Sequence, residues 1–291
     1  MKANRIIQGL LIILTAQSCV TKKLTQEGTT AYENGNYSTA FSALEQVIEK
    51  NESSDKQTDK AIYYKAGIAA WEQKKTEKAI KYLEKADYLK YPKANLYATL
   101  AEIYKNIDNL SKEIEALESY HNKFPEGKHI DSLNTRLFGT YVESENWKKA
   151  VNLWPELTQK SQSNLDLRAG YLISNRELEN DKKCDKLARQ ILKEDPENIT
   201  ALEWFAKSKF WEAENTYVSE MKAYRNNRTT SQYKKLLKAW DGIWETFRTS
   251  RDYFLKLYEL DPKPEYAEFL GNIYKRLDKN KKAEYYYRKA D

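Results

Sequence analysis

Small residues recur along this chain at intervals suited to stacked helix pairs. Ala40, Ala79, Ala150 and Cys184 occupy equivalent places, with Glu113 in the same slot between them. Successive slots lie 39, 34, 37 and 34 residues apart. In the first two repeats a glycine precedes the slot and a leucine follows it: Gly28, Ala40 and Leu44, then Gly67, Ala79 and Leu83. The arrangement returns at the end as Gly271, Ala283 and Tyr287. Small residues let two helix backbones approach, and the large ones fill the gaps beside them. A unit this short cannot bury its apolar face alone, so successive units must stack. Glu113 breaks the small-residue rule, so the third unit is expected to pack less tightly. Pro155 falls inside the second helix of the fourth unit and, lacking an N–H, should kink or shorten it.

Composition agrees with an all-helical chain. Gly (9) and Pro (6) are few among 291 residues, charged residues make up 32%, and no alternating strand pattern appears. Tyrosine is abundant at 22 residues, and Tyr104, Tyr141 and Tyr274 fall at equivalent repeat positions, which marks them as core filler. Cys184, in a small-residue slot with no histidine near it in sequence, reads as core filler too. The net charge of +6 falls to +4 once Lys2 and Arg5 are set aside, which is an ordinary mixed surface with no overall footprint for nucleic acid.

Residues 267–291, AEFLGNIYKRLDKNKKAEYYYRKAD, resemble one tetratricopeptide repeat. Leu270, Gly271, Tyr274, Ala283 and Tyr287 fill the family's slots, with Ala267 where Trp is usual, and the intervals above straddle the family period of 34. The resemblance implies an all-α, right-handed solenoid of helix pairs that holds other proteins. The family's clamp for a C-terminal carboxylate uses Lys, Asn and Arg on the first helices. Here the corresponding positions carry Thr25, Thr29, Tyr64, Ile68, Ala98 and Glu102, so the clamp is missing. A bound peptide would instead meet the aromatic faces of Tyr32, Tyr64 and Trp71.

The repeat lengthens between Asp195-Pro196 and Asp261-Pro262, 66 residues apart with no helix breaker halfway. Residues 199–225 and 231–260 read as two long helices joined at 226–231. Leu236, Trp240, Ile243, Phe247, Phe254 and Leu257 step by fours and threes, with Ser250 filling the gap, while Trp204, Trp211 and Val218 recur every seven on the opposing arm. This predicts an elongated, coiled-coil-like helical hairpin with a bend at Gly242. Its tip carries Lys222, Arg225, Arg228, Lys234, Lys235 and Lys238 with no acidic residue among them. That cluster suits an acidic partner or anionic lipid, or simply keeps an exposed tip soluble.

The opening MKANRIIQGLLIILTAQSC has a basic start, a short apolar run and small residues before Cys19, which is the pattern of a secretory signal. Ala16-Gln17-Ser18-Cys19 resembles a bacterial lipoprotein processing site, although Ala16 stands where Leu is usual. Ala16 and Ser18 would also suit ordinary cleavage and release. The expected organisation is a signal peptide at 1–18, a repeat solenoid with lipidated Cys19 at 19–198, the hairpin at 199–261 and a terminal repeat at 262–291. Thioether-linked and N-acyl (palmitate-like) chains on Cys19 would hold the protein in the envelope, with the periplasmic face of the outer membrane expected.

Catalytic patterns are nearly absent. There is no phosphate-cradling glycine loop, nucleophile elbow or HExxH. His121 and His129 flank an inter-repeat turn as exposed loop residues rather than metal ligands. No enzymatic activity and no cofactor are expected. The reading is a lipid-anchored scaffold that binds other envelope proteins in a multiprotein assembly, with oligomeric state open. The alternative is a periplasmic carrier or sensor that takes peptide or glycan on the aromatic groove. The last helix, ending at Asp291, either leaves Tyr285 and Tyr286 as candidate docking residues on an uncovered edge or is covered there by the neighbouring long hairpin.

Overall fold

The structure, a computed structural model, describes residues 20–291. The predicted signal segment and Cys19 lie outside the described residues. Those residues form helices and turns with no strand among them. They divide into two compact units, one ending at Thr140 and the other running from Tyr141 to Asp291.

The first unit contains α1 (residues 20–33), α2 (Tyr37–Ser53), α3 (Lys60–Glu72), α4 (Thr76–Tyr88), α5 (Ala94–Asn106), α6 (Leu110–Lys123) and the greater part of α7 (Ile130–Glu143). Local chemistry starts several of these helices. Asn36, Asp59 and Asn109 cap α2, α3 and α6 by accepting hydrogen bonds from Thr39, Ala61 and Lys112 backbone N–H groups. The turn within each pair is made by a residue in the left-handed region: Gly35, Lys74 and Asp108 here, then Glu145, Glu179 and Asp278 later. Each stands five residues before a repeat's small slot, so turn and slot share one period. The glycines mark backbone approach. A Cβ on Gly28 would lie 2.7 Å from Leu44 Cγ, and one on Gly67 would lie 2.6 Å from Leu83 Cγ.

Glu113 was expected to loosen the third pair, but the slot is filled by an ion pair. Glu113 is buried, and Arg136 of α7 meets it with two hydrogen bonds, Nε to Oε1 at 2.6 Å and Nη2 to Oε2 at 2.9 Å. A charge thus replaces a small residue because the next helix brings its counter-charge. His121, expected in a loop, lies in the last turn of α6, with Nδ1 2.9 Å from Oδ1 of buried Asn134. His129 is exposed.

Tyrosine fills the core in a consistent way. Tyr63, Tyr82 and Tyr104 are buried, and their hydroxyls donate to Glu52, Glu45 and Glu84 at 3.3, 3.1 and 2.8 Å. The ring supplies apolar bulk and the hydroxyl is satisfied by a carboxylate.

The second unit contains the end of α7, then α8 (Trp147–Leu153), a 3₁₀ turn (Trp154–Glu156), α9 (Gln159–Gln162), α10 (Leu165–Glu177), α11 (Asp181–Glu194), α12 (Ile199–Asn226), α13 (Thr230–Leu260), α14 (Pro264–Arg276) and α15 (Asn280–Ala290). Pro155 acts as expected: α8 stops after 7 residues and the chain tightens into the 3₁₀ turn. Cys184 is fully buried in α11.

The long hairpin is α12 and α13, of 28 and 31 residues, or about 40 and 45 Å at 1.5 Å per residue. The α13 stripe is as expected at Leu236, Ile243, Phe247, Ser250, Phe254 and Leu257, which are buried, while Trp240 is half-buried. α13 runs unbroken through Gly242. The opposing stripe differs from expectation. Trp211 and Val218 are 52% and 51% exposed, while Ala206, Phe210 and Ala213 are buried and half-buried Tyr217 stacks on Trp244. Ser250 Oγ donates to Ala206 O at 2.7 Å across the seam. No helix among the described residues is long and apolar enough to cross a membrane.

Candidate functional site

α12 turns one apolar stripe toward α13; of the other, Trp204 is buried while Trp211 and Val218 stay exposed. Phe210 belongs to the buried stripe, where it meets Phe247 at 6.0 Å and Phe269 of α14 at 4.9 Å between ring centroids. Trp211, one position on, is rotated about 100° around the helix. It therefore leaves the seam, 52% exposed, with its ring in a T-shaped contact 5.0 Å from the Phe210 ring. Of the chain's seven tryptophans it alone is exposed.

Two grooves meet at this ring. One, of ≈ 470 Å³, lies between α12 and α14 and is lined by Phe210, Trp211, Glu214, Phe269, Asn272 and Arg276, among others. Phe269 is half-buried and stacks on Phe254 at 4.6 Å, which fixes its plane. Arg276 is held by Glu214, with Nε 2.8 Å from Oε2, and its guanidinium lies 4.4 Å over the Tyr217 ring. The other groove, of ≈ 460 Å³, is lined by Asp181, Asp185, Trp204, Lys207 and Trp211 with their neighbours. There Trp204 donates its indole N–H to Asp185 at 2.8 Å, and Lys207 pairs with Glu265 at 2.8 Å. The arrangement offers a fixed aromatic step between two polar-walled channels. Such a surface can hold an apolar side chain while its backbone finds hydrogen-bonding groups on either side.

The residues predicted from sequence are distributed differently. Tyr32 is half-buried, edge-on to Tyr37 and Tyr64 at 5.9 and 6.4 Å, and burial pushes its hydroxyl well above the usual tyrosine range. Tyr64 is 7% exposed, lies 4.9 Å from the Tyr91 ring, and its hydroxyl accepts from Asn95 Nδ2 at 3.4 Å. It is a core residue with no free face for a ligand, which corrects the reading of a Tyr32–Tyr64–Trp71 aromatic groove. Trp71 is half-buried. Tyr286 is also corrected. It stacks on Tyr274 at 5.5 Å and stands edge-on to Tyr258 at 5.8 Å, packed against the core, whereas Tyr285 is exposed. Lys222, Arg225, Arg228, Lys234, Lys235 and Lys238 are all exposed on the two sides of the α12–α13 turn.

Trp211 was hidden by its own periodicity, because a step of seven through Trp204 and Val218 imitates a seam. The competing stripe of Ala206, Phe210, Ala213 and Tyr217, in steps of four, three and four, was the signal that could have exposed it. Among the described residues no cluster of three or more His, Cys, Asp or Glu side chains is placed to hold a metal ion.

Residues 60–93 match the tetratricopeptide repeat family, a span that covers α3 and α4. No match was found among curated proteins. Among solved structures the chain is similar to the C-terminal part of a TPR repeat-containing protein from Cytophaga hutchinsonii, with a TM-score of 0.50, 13% identity, and 91% of this chain and 93% of that one covered. It is also similar to a structure from Bacteroides ovatus described as a protein binding protein, with a TM-score of 0.52, 18% identity, and 77% of this chain and 100% of that one covered. At such identities the likeness speaks for the fold. Residues 60–93 are thus similar to a tetratricopeptide repeat, and the chain has an all-α solenoid fold like that of tetratricopeptide repeat proteins.

Proposed function

We propose that this chain is a non-enzymatic scaffold that holds other proteins, and that the grooves beside Trp211 are its main contact surface. The carrying observation is Trp211 itself: an indole 52% exposed, fixed against Phe210, and shared by two grooves. Large aromatic rings held rigidly in the open supply much of the binding energy where proteins meet. The repeat fold and the description of the Bacteroides ovatus structure as protein binding support the reading. The assembly it serves is proposed to lie in the bacterial envelope, with the chain attached through lipid on Cys19 at the periplasmic face of the outer membrane. The sequence pattern before Cys19 is what supports that part.

A photoreactive residue at position 211 tests the contact surface. Discrete crosslinks to other polypeptides are expected from position 211, and none from a control at Tyr88, which is 77% exposed. Equal crosslinking at both positions, or none at 211, rejects the groove. The anchor is tested separately. Cys19→Ser should abolish acyl-chain labelling and release the protein from the membrane fraction, and an unchanged variant rejects lipidation.

A further inference from the structure

The cations at the hairpin tip differ from those nearer its base. Lys207, Lys209, Arg248 and Arg251, on the same two helices, pair with Glu265, Glu212, Glu245 and Asp252 at 2.6 to 3.1 Å. Lys222, Arg225, Arg228, Lys234, Lys235 and Lys238 are exposed, and no carboxylate stands anywhere between Lys222 and Lys238. Positive charge at the tip is therefore concentrated and left uncompensated by its own helices.

Apolar side chains are set among these cations. Tyr233 and Leu237 are 44% and 41% exposed and sit one turn apart on α13. Lys234 and Lys238 follow each of them by one position, so Leu237 and the two lysines lie on the outward side of the helix, with Tyr233 at the edge between that side and the seam. The inward face is already supplied by Leu236, which is buried, and the Tyr233 ring touches Tyr224 at 5.6 Å on one side while 44% of the residue stays exposed. Leu237 is thus not needed by the seam. The last clamp from α14 on α12 is Arg276, at Glu214 and Tyr217.

We infer that the hairpin tip docks on an anionic lipid bilayer surface, its six cations against the headgroup phosphates and Tyr233 and Leu237 entering the boundary below them. A dissolved polyanion would satisfy the charges but gives no place to a leucine and a tyrosine ring. A bilayer sets an apolar layer directly beneath an anionic one, and long lysine stems can lie along the first while their ammonium groups reach the second. The inference rests neither on the Trp211 grooves nor on lipidation at Cys19.

The test uses the full chain carrying Cys19→Ser, sedimented with vesicles of phosphatidylcholine alone or mixed with phosphatidylglycerol. Every variant is compared in that background, so any contribution of residues 1–19 cancels. Binding to the anionic vesicles should be at least about tenfold tighter and weaken with salt. Lys234→Glu with Lys235→Glu and Lys238→Glu should abolish the preference. Tyr233→Ser with Leu237→Ser should weaken binding severalfold while keeping its salt dependence. Leu237→Ser alone, which leaves the Tyr224–Tyr233 contact in place, should also weaken it, and neither that variant nor the lysine set should move the melting temperature, since those four side chains are exposed. Equal binding to both vesicle types overturns the inference, as does charge reversal without effect. So does binding to heparin or an oligonucleotide as tight as to vesicles and indifferent to Tyr233 and Leu237, which would assign the tip to a dissolved polyanion.

Discussion

Leu83 occupies the space that a Cβ on Gly67 would need: the added carbon would lie 2.6 Å from Leu83 Cγ and 3.1 Å from its backbone nitrogen. Leu44 stands in the same relation to Gly28, and Tyr287 to Gly271 at 2.5 Å, each partner sixteen residues on from its glycine. Because backbone as well as side chain blocks the site, Gly67→Ala should force the α3–α4 pair apart and cost about 1–3 kcal/mol. Gly242 gives the contrast. It sits inside α13 with nothing within 4 Å of an added Cβ, so Gly242→Ala should stabilise by about 0.5–1 kcal/mol. Urea midpoints of the two variants should move in opposite directions.

The Glu113–Arg136 pair should show asymmetric losses. Glu113 has a side chain 3% exposed and Arg136 one that is 30% exposed, so water can reach only the arginine. Arg136→Leu strands a buried carboxylate and should cost about 3–5 kcal/mol. Glu113→Leu leaves an arginine that can turn to solvent and should cost less, about 1–2 kcal/mol. The double variant should recover part of the loss, read as a non-additive cycle in chemical denaturation.

Lys74 holds a left-handed turn, at φ 58°, in the place Gly35 fills in the first repeat. A side chain there is strained, and glycine removes the strain. Lys74→Gly should therefore stabilise by about 0.5–1 kcal/mol despite the added freedom of the unfolded chain, whereas Gly35→Ala should destabilise by a similar amount. Thermal unfolding of the two variants checks both signs.

Stability should fall above about pH 10, where tyrosines of the unfolded chain begin to ionise. In the folded chain the Tyr82, Tyr104 and Tyr266 hydroxyls are pushed up, first by burial and then by Glu45, Glu84 and Glu203. Their folded pKa values lie above the unfolded ones. Their contribution is thus fully present below pH 10 and is lost as the unfolded state sheds protons that the folded state keeps. Urea midpoints followed upward from pH 8 should drop more steeply for the parent than for the Tyr→Phe triple variant.

Cys184 should stay unreactive while the fold persists. Burial pushes its thiol up to about 11, and the side chain is fully enclosed. With Cys19→Ser in place, iodoacetamide at pH 8 should label the native chain at the rate of unfolding only, and label it promptly in urea. Prompt native labelling would show that the thiol is accessible.

The sequence by itself determined what is local to one repeat. The caps at Asn36, Asp59 and Asn109, the turns before each small slot, the early end of α8 at Pro155 and the length of the α12–α13 hairpin all follow from residues a few positions apart. The tertiary structure decided what depends on a neighbour's arrival. Glu113 is buried only because α7 brings Arg136, Tyr64 is sealed by Tyr91, and Tyr286 is claimed by Tyr258 and Tyr274. α12 carries two apolar stripes about 100° apart, and either could have been its seam. Only packing against α13 chose Phe210 for the interior and left Trp211 outside, because helical periodicity defines faces but not which of them the partner covers.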